Sequence, residues 1–356
     1  MEDGWWRFVY LLINKLTGGI LMNRKKRILT GERPTGRLHI GHYVGSLENR
    51  VKLQHEHETF IIVADVQALT THFGNPEILQ NAVYAVALDN LAAGIDPEVS
   101  TFFVQSLVPQ IAELTIFYSM LVTVNVLRHN PTIKTEAAQY GYKDLTYGFL
   151  GYPVSQAADI TFCKADLVPV GEDQVPHIEA ARKIVRRFNS LYKPVLIEPE
   201  VLLGDCPRLM GLDGNAKMGK SLNNAIYLSD PEEGVNNKVK SALTDANRIT
   251  LKDKGNPDVC VVFAYHKIFN TGECDNISEM CRNAGIGCTA CKKRLAVVLN
   301  EFLTPIRERR IQFEEKQDDV KSILMAGTER VKEVAKHTLE EVREAMSINY
   351  FGNQGL

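Results

Sequence analysis

Cysteine is scarce in this chain of 356 residues: there are seven, an odd number. That excludes a disulfide-stapled secreted scaffold and leaves a reduced, cytoplasmic protein as the expectation. An excess of one charge is lacking too, since 41 Lys and Arg stand against 43 Asp and Glu for a net charge of -2. Coating nucleic acid by bulk electrostatics is thereby excluded, and a nucleic-acid partner would need a local basic surface. No unbroken apolar run approaches the ~18 to 20 residues of a membrane span, so no membrane role is expected. Tryptophan is almost missing, with Trp5 and Trp6 the only two. What is plentiful is ordinary apolar residue, 45% of the chain, enough over this length for the cores of about two domains.

The first 21 residues stand apart. Their apolar stretch around Trp5 to Ile13 is broken by Arg7, the charge order is wrong for a signal peptide, and no small-residue cleavage site follows. Two readings stay open: a start at Met22 with an upstream translation artefact before it, or a short amphipathic arm. From Arg27 onward the pattern predicts a strand at Ile28 to Thr30, a loop at Gly31 to Leu38 and a helix at Ile40 to His55. A strand at Phe60 to Ala64, a helix at Pro76 to Ala93 and a strand at Ser100 to Gln105 follow. This βαβαβ order implies a parallel sheet with ligands at the carboxyl ends of its strands. After about Leu228 strand signals fade, and Val235 to Leu243, Cys291 to Glu314 and Val320 to Met346 read as helices of a second domain.

Three segments carry chemistry. His39 and His42, with Gly41 between them, fall where the first helix should start, behind the loop residues Gly31, Arg33, Pro34 and Thr35. Their spacing puts both imidazoles on one face of a first helical turn, where free backbone N–H groups already favour phosphate. Lys217, Met218, Gly219, Lys220 and Ser221 form a basic loop whose two ammonium groups suit a leaving polyphosphate. Between them, Tyr152, Gln156 and Asp159 lie in one apolar segment, and Gly171, Glu172, Asp173 and Gln174 follow a strand-like Leu167 to Val170. A carboxylate such as Asp159 among apolar residues needs a hydrogen-bonding partner, which a ligand N–H or a fixed side chain could supply.

In this order and at these spacings, the segments resemble the HIGH and KMSKS signatures of the class I aminoacyl-tRNA synthetases, with Gly219 in place of the signature serine. The loop at Gly31, the Ala157-Ala158-Asp159 segment and the run from Val168 to Gln174 resemble the tryptophanyl-tRNA synthetases within that class, from about Ile28 to Met346. The resemblance implies an α/β fold: a Rossmann-like parallel-sheet catalytic domain over residues 22–228 and a helical, anticodon-binding domain over 229–356. It implies catalytic roles for His39, His42, Lys217 and Lys220. ATP contacts would come from Gly31, Arg33, Pro34, Thr35, Gly41, His42, Gly171, Glu172, Asp173, Leu209 and the loop from Lys217 to Ser221. Tryptophan would be held by Tyr152, Gln156, Asp159, Val168 and Gln174, with Asp159 receiving the indole N–H. Implied partners are L-tryptophan, its tRNA, ATP with Mg²⁺ and a second copy of the chain. Gln67 departs from the resemblance, standing where many relatives have histidine.

Cys260, Cys281, Cys288 and Cys291 give the spacing C-x20-C-x6-C-x2-C. Four thiolates can hold tetrahedral zinc or an iron–sulfur cluster. The spacing resembles that of a bacterial subset of the family with a [4Fe–4S] centre, whose first interval is slightly longer. Basic residues gather at Arg182, Lys183, Arg186 and Arg187, and again at Lys292, Lys293, Arg294, Arg307, Arg309 and Arg310, as solvated faces or a tRNA surface. The expected activity is ATP-dependent charging of tRNA with tryptophan. Rival readings are the tyrosine-specific relatives, a nucleotidyltransferase and a silent tRNA-binding paralogue.

Overall fold

The computed structural model describes residues 24–203, 209–214, 218, 219, 222 and 224–350, apart from the side chain of Asp173. Five strands, β1 (Arg27–Glu32), β2 (Glu58–Val63), β3 (Ser100–Val104), β4 (Leu167–Val170) and β5 (Glu200–Leu203), form one parallel sheet in the order β3-β2-β1-β4-β5. The chain winds one way from β1 and the other way from β4, so the switch point lies between these two central strands.

The helices are α1 (Ile40–His42), α2 (Glu48–Leu53), α3 (Asp65–His72), α4 (Glu77–Ala93), α5 (Pro109–Ser119), α6 (Val124–Arg128), α7 (Pro131–Tyr140), α8 (Tyr147–Thr161) and α9 (Val175–Leu191). After β5 come α10 (Glu232–Ser241), α11 (Val261–Phe269), α12 (Cys274–Arg282), α13 (Cys288–Glu314) and α14 (Gln317–Ala345). The helix expected over Ile40 to His55 is interrupted: a π-helical segment, Tyr43–Leu47, separates α1 from α2. Such segments recur at functional sites because they re-aim side chains.

Strand β2 shows why its sequence is an unbroken apolar run. Phe60 and Ile62 enter the core under α5, α8 and α9, while Ile61 and Val63 enter the opposite core under α4 and α13. Both faces are covered, so period-two alternation disappears. The edge strand β3 is covered by α14, the last helix of the chain. Gly327 lets that helix approach, since a Cβ there would lie 1.9 Å from the Phe102 carbonyl oxygen. Thr328 then accepts a hydrogen bond from the Val104 N–H at 3.4 Å. The helical half therefore closes the edge of the parallel sheet, and Val331, Ala335 and Leu339 belong to the sheet's own core.

Part of each basic cluster is committed within the fold, while Lys183, Arg187, Lys293 and Arg294 are exposed. Arg182 and Arg186 both pair with Glu198. On α13, Arg307 bonds to Asn300, Arg309 to the Ala92 carbonyl and Arg310 to Asp89. Arg309 and Arg310 tie α13 to α4, whereas the Arg307 bond stays within α13.

Candidate active site

The segments picked from the sequence converge at the switch point. Loop Arg33 to Leu38 leaves β1 and turns into α1, where the His39 and His42 rings lie with centroids 3.7 Å apart. His42 Nδ1 accepts the His39 backbone N–H at 3.2 Å, which leaves the proton of a neutral His42 ring on Nε2. Backbone bonds from Ile40 N to Ile226 O and from Leu228 N to Leu38 O tie this turn to the segment after the lysine loop. Gly41 is the point of closest approach. A Cβ there would stand 3.1 Å from Met218 Sδ and 3.0 Å from the His39 ring, so a side chain would have to push one or both aside by a few tenths of an ångström. Met218 and Gly41 thus bring the two signatures into contact. Lys217, Lys220 and Ser221 lie outside the described residues.

Asp89, fully buried on α4, fixes the start of the same turn. Its Oδ2 accepts the Leu38 N–H at 2.6 Å and its Oδ1 accepts Arg310 Nε at 2.8 Å. Burial raises the Asp89 pKa, and these two donors and Arg37 oppose that rise. Helix α13 is in this way bonded to the histidine turn through a single carboxylate. No sequence signal pointed to Asp89.

On the other side of β1, Tyr152, Gln156 and Asp159 share one face of α8, and Val168 is buried on β4. Gly171 and Glu172 sit exposed at the end of β4, and the short turn Glu172–Gln174 leads into α9. Leu209 is buried in the core beneath the histidine turn. The Tyr152 hydroxyl meets His177 Nε2 at 2.9 Å.

Asp159 is held on both carboxylate oxygens. Gln105, in the turn after β3, uses its amide oxygen to accept the Gln67 N–H at 3.1 Å, so its Nε2 is the end that donates to Asp159 Oδ1 at 2.7 Å. Gln67 Nε2 donates to Oδ2 at 3.2 Å. Burial pushes the Asp159 pKa up to about 7, the two amides pull it down, and Asp65 adds a smaller upward push. Gln67, the departure from the family pattern, is therefore a neutral donor that orients the carboxylate. Gln105 was missed in the sequence, since nothing local marks it.

Cys260, Cys281, Cys288 and Cys291 gather where α11, α12 and α13 meet. Burial and then the other three cysteines push the Cys291 thiol up to about 12, and Arg248 reaches Cys281 Sγ at 3.8 Å. Among the described residues, no three His, Cys, Asp or Glu side chains are grouped closely enough to hold a metal ion as they stand.

A doubly wound parallel sheet, with a histidine turn after its first strand and an acidic turn after its fourth flanking the switch point, defines a class I synthetase fold. The profile of the tRNA synthetases class I (W and Y) matches residues 22–304. A tryptophan–tRNA ligase of Lactococcus lactis subsp. lactis is 50% identical over 338 residues, 92% of this chain and 99% of that protein. Among solved structures, tryptophanyl-tRNA synthetase of Campylobacter jejuni complexed with ADP and tryptophan superposes with a TM-score of 0.81 at 29% identity, covering 90% of this chain and 99% of that one. A tyrosyl-tRNA synthetase from Archaeoglobus fulgidus shares the fold with a TM-score of 0.64 at 22% identity over 82% of this chain and 92% of that one. The chain belongs to the class I tRNA synthetases for tryptophan and tyrosine.

Proposed function

We infer that this chain is a tryptophan–tRNA ligase. The carrying observation is the 50% identity, over nearly full length, to a tryptophan–tRNA ligase. Asp159, buried and held by two glutamine amides, supports the same reading. Tryptophan's carboxylate, already ionised at neutral pH, attacks the α-phosphorus of ATP in line and pyrophosphate leaves. No general base is needed, so the protein's work is positioning and charge stabilisation. ATP enters as its Mg²⁺ complex, which makes the metal part of the substrate. His39 and His42 serve the phosphates at the head of α1, with Lys217 and Lys220 on the leaving pyrophosphate. Gly31, Arg33, Pro34, Thr35, Gly41, Gly171, Glu172, Asp173 and Leu209 frame the nucleotide. Asp159 accepts the indole N–H, and Tyr152, Gln156, Val168 and Gln174 complete the tryptophan pocket. A ribose hydroxyl of the tRNA's terminal adenosine then takes the tryptophanyl group, releasing AMP. Tryptophan-dependent ATP–pyrophosphate exchange, with tyrosine as the competing amino acid, tests this reading; exchange driven by tyrosine would overturn it.

The work is placed in the cytoplasm, where bacterial tRNA is charged; among the described residues no helix is long and apolar enough to cross a membrane. Assembly as a homodimer is supported by Ile116, Met120, Val124 and Val126, four apolar side chains each more than half exposed. Met120→Glu is expected to shift the wild-type dimer toward monomer, read by sedimentation equilibrium.

The four gathered cysteines would hold a [4Fe–4S] cluster, with zinc the alternative. Support comes from the spacing of the four cysteines and from their approach from three helices, near enough for the other three to raise the Cys291 pKa. Such a centre would brace the helical half, away from the reacting atoms. Anaerobically purified protein is expected to contain iron and sulfide, or stoichiometric zinc. Cys281→Ser should lose the metal while keeping pyrophosphate exchange. Metal-free protein with full exchange activity would remove the centre from the account.

A further inference from the structure

Among the described residues, Arg50 is the largest fully buried side chain, and it is charged. Such a group is costly in a core unless it is paired and hydrogen-bonded. It follows the π-helical segment Tyr43–Leu47, and from there Leu47, Arg50 and Gln54 are the buried positions, spaced three and four apart along one helix face. Arg50 therefore stands where an apolar residue would continue the pattern. Its Nη1 lies 2.8 Å from Glu32 Oε1 and donates to Asn90 Oδ1 at 2.6 Å. The Asn90 amide closes a triangle, since its Nδ2 donates to Glu32 Oε2 at 3.3 Å and to the Val86 carbonyl at 2.9 Å. The Val86 oxygen can only accept, which fixes the way round of that amide. Three elements, β1, α2 and α4, are joined at one point.

What the triangle holds is the start of a loop. Glu32 is the last residue of β1 and Arg33 the next in the chain, so the carboxylate anchors the backbone where it leaves the sheet. The carboxylate of Asp89, next to Asn90 on α4, takes the Leu38 N–H at the loop's far end. Neighbouring residues of one helix thus grip both ends of the segment from Arg33 to Leu38, each backed by an arginine from another helix, Arg50 or Arg310. Stability does not require this arrangement, because apolar side chains of the same volume serve a core as well as a buried ion pair does. Hydrogen-bonded charges add direction to distance, which apolar packing does not. We propose that Arg50 is a positioning residue for the nucleotide: through Glu32 and Asn90 it fixes the start of the loop that frames ATP, as Asp89 fixes its end. The assignment rests on the tryptophan-ligase reading, in which that loop meets ATP, and deepens it.

The double variant Arg50→Met/Glu32→Leu tests this, because it removes both charges together and strands neither in the core. Compared with Arg50→Met alone, it is expected to regain most of the lost stability in urea. The KM for ATP in pyrophosphate exchange should nevertheless stay raised on the order of 10-fold, with the KM for tryptophan within about twofold of wild type. Arg50→Lys, which keeps the charge and loses the planar fork, should show a smaller rise, again for ATP alone; if the double variant does not fold, this variant decides. A wild-type ATP KM in these variants, or ATP and tryptophan constants rising together, would mark the triangle as structural only and overturn the proposal. Wild-type exchange with tryptophan is the separate check on the ligase reading. If it holds while the variants keep the wild-type ATP KM, only the Arg50 assignment falls.

Discussion

Asp159→Ala is expected to lower kcat/KM for tryptophan by about 10- to 150-fold, the range for losing a hydrogen bond to a charged acceptor. The variant removes the acceptor of the indole N–H and also strands the Gln67 and Gln105 amide donors, which now point into the space it leaves. A ligand without a donor at that point should lose little, so discrimination against phenylalanine should narrow along with the rate. The wild-type enzyme should show the same dependence through pH. Because burial has moved the Asp159 pKa up to about 7, the carboxylate is ionised above that pH and protonated below it. Tryptophan KM should therefore rise as pH falls through about 7, with the ATP KM following a different profile. In the absence of ligand the sign for stability is opposite. A folded-state pKa above the unfolded value means that the folded form binds the extra proton, so this group's favourable contribution is present at low pH and fades as pH rises through about 7. Exchange kinetics at several pH values with both substrates varied would check it; a flat tryptophan KM would show that Asp159 stays ionised throughout, or lies outside the pocket.

Legibility in the sequence followed sequence distance. The turn from His39 to His42 and the segment from Gly171 to Gln174 were visible because each is a contiguous run whose backbone must leave a strand and enter a helix. Strand β4 coincides with the expected Leu167 to Val170. The groups that hold those runs were invisible. Gln105 and Asp159 are 54 residues apart, and Asp89 and Arg310 are 221 apart; neither pairing leaves a period or a spacing to detect. The arginines of α13 misled for the same reason, since a basic stretch looks alike whether it faces solvent or, like Arg309 and Arg310, bonds to α4. The π-helical segment after α1 shows a different limit: apolar periodicity signals a helix without revealing one extra residue in a turn.

Asp89→Ala is expected to cost about 3 to 5 kcal/mol of folding stability, the range for removing one member of a buried charged pair. The carboxylate is fully buried and Arg310 is only 12% exposed, so the guanidinium loses its buried partner and keeps only Glu314, one helical turn on. The Leu38 N–H loses its acceptor at the same time. That second loss separates this pair from an ordinary ion pair, because it loosens the residue that enters the histidine turn. The salt bridge between Arg282 and Asp258 supplies the contrast. Both partners are half exposed or more, and Asp258→Ala should leave stability almost unchanged. Urea unfolding followed by circular dichroism would give the two differences, with equal slopes confirming that the midpoint alone has moved. Asp89→Asn refines the result: it can still accept the Leu38 N–H but carries no charge for Arg310. If its stability falls nearly as far as that of Asp89→Ala, the ion pair to α13 dominates. If the loss is small, the hydrogen bond that shapes the histidine turn is the larger part, and exchange activity should survive with it.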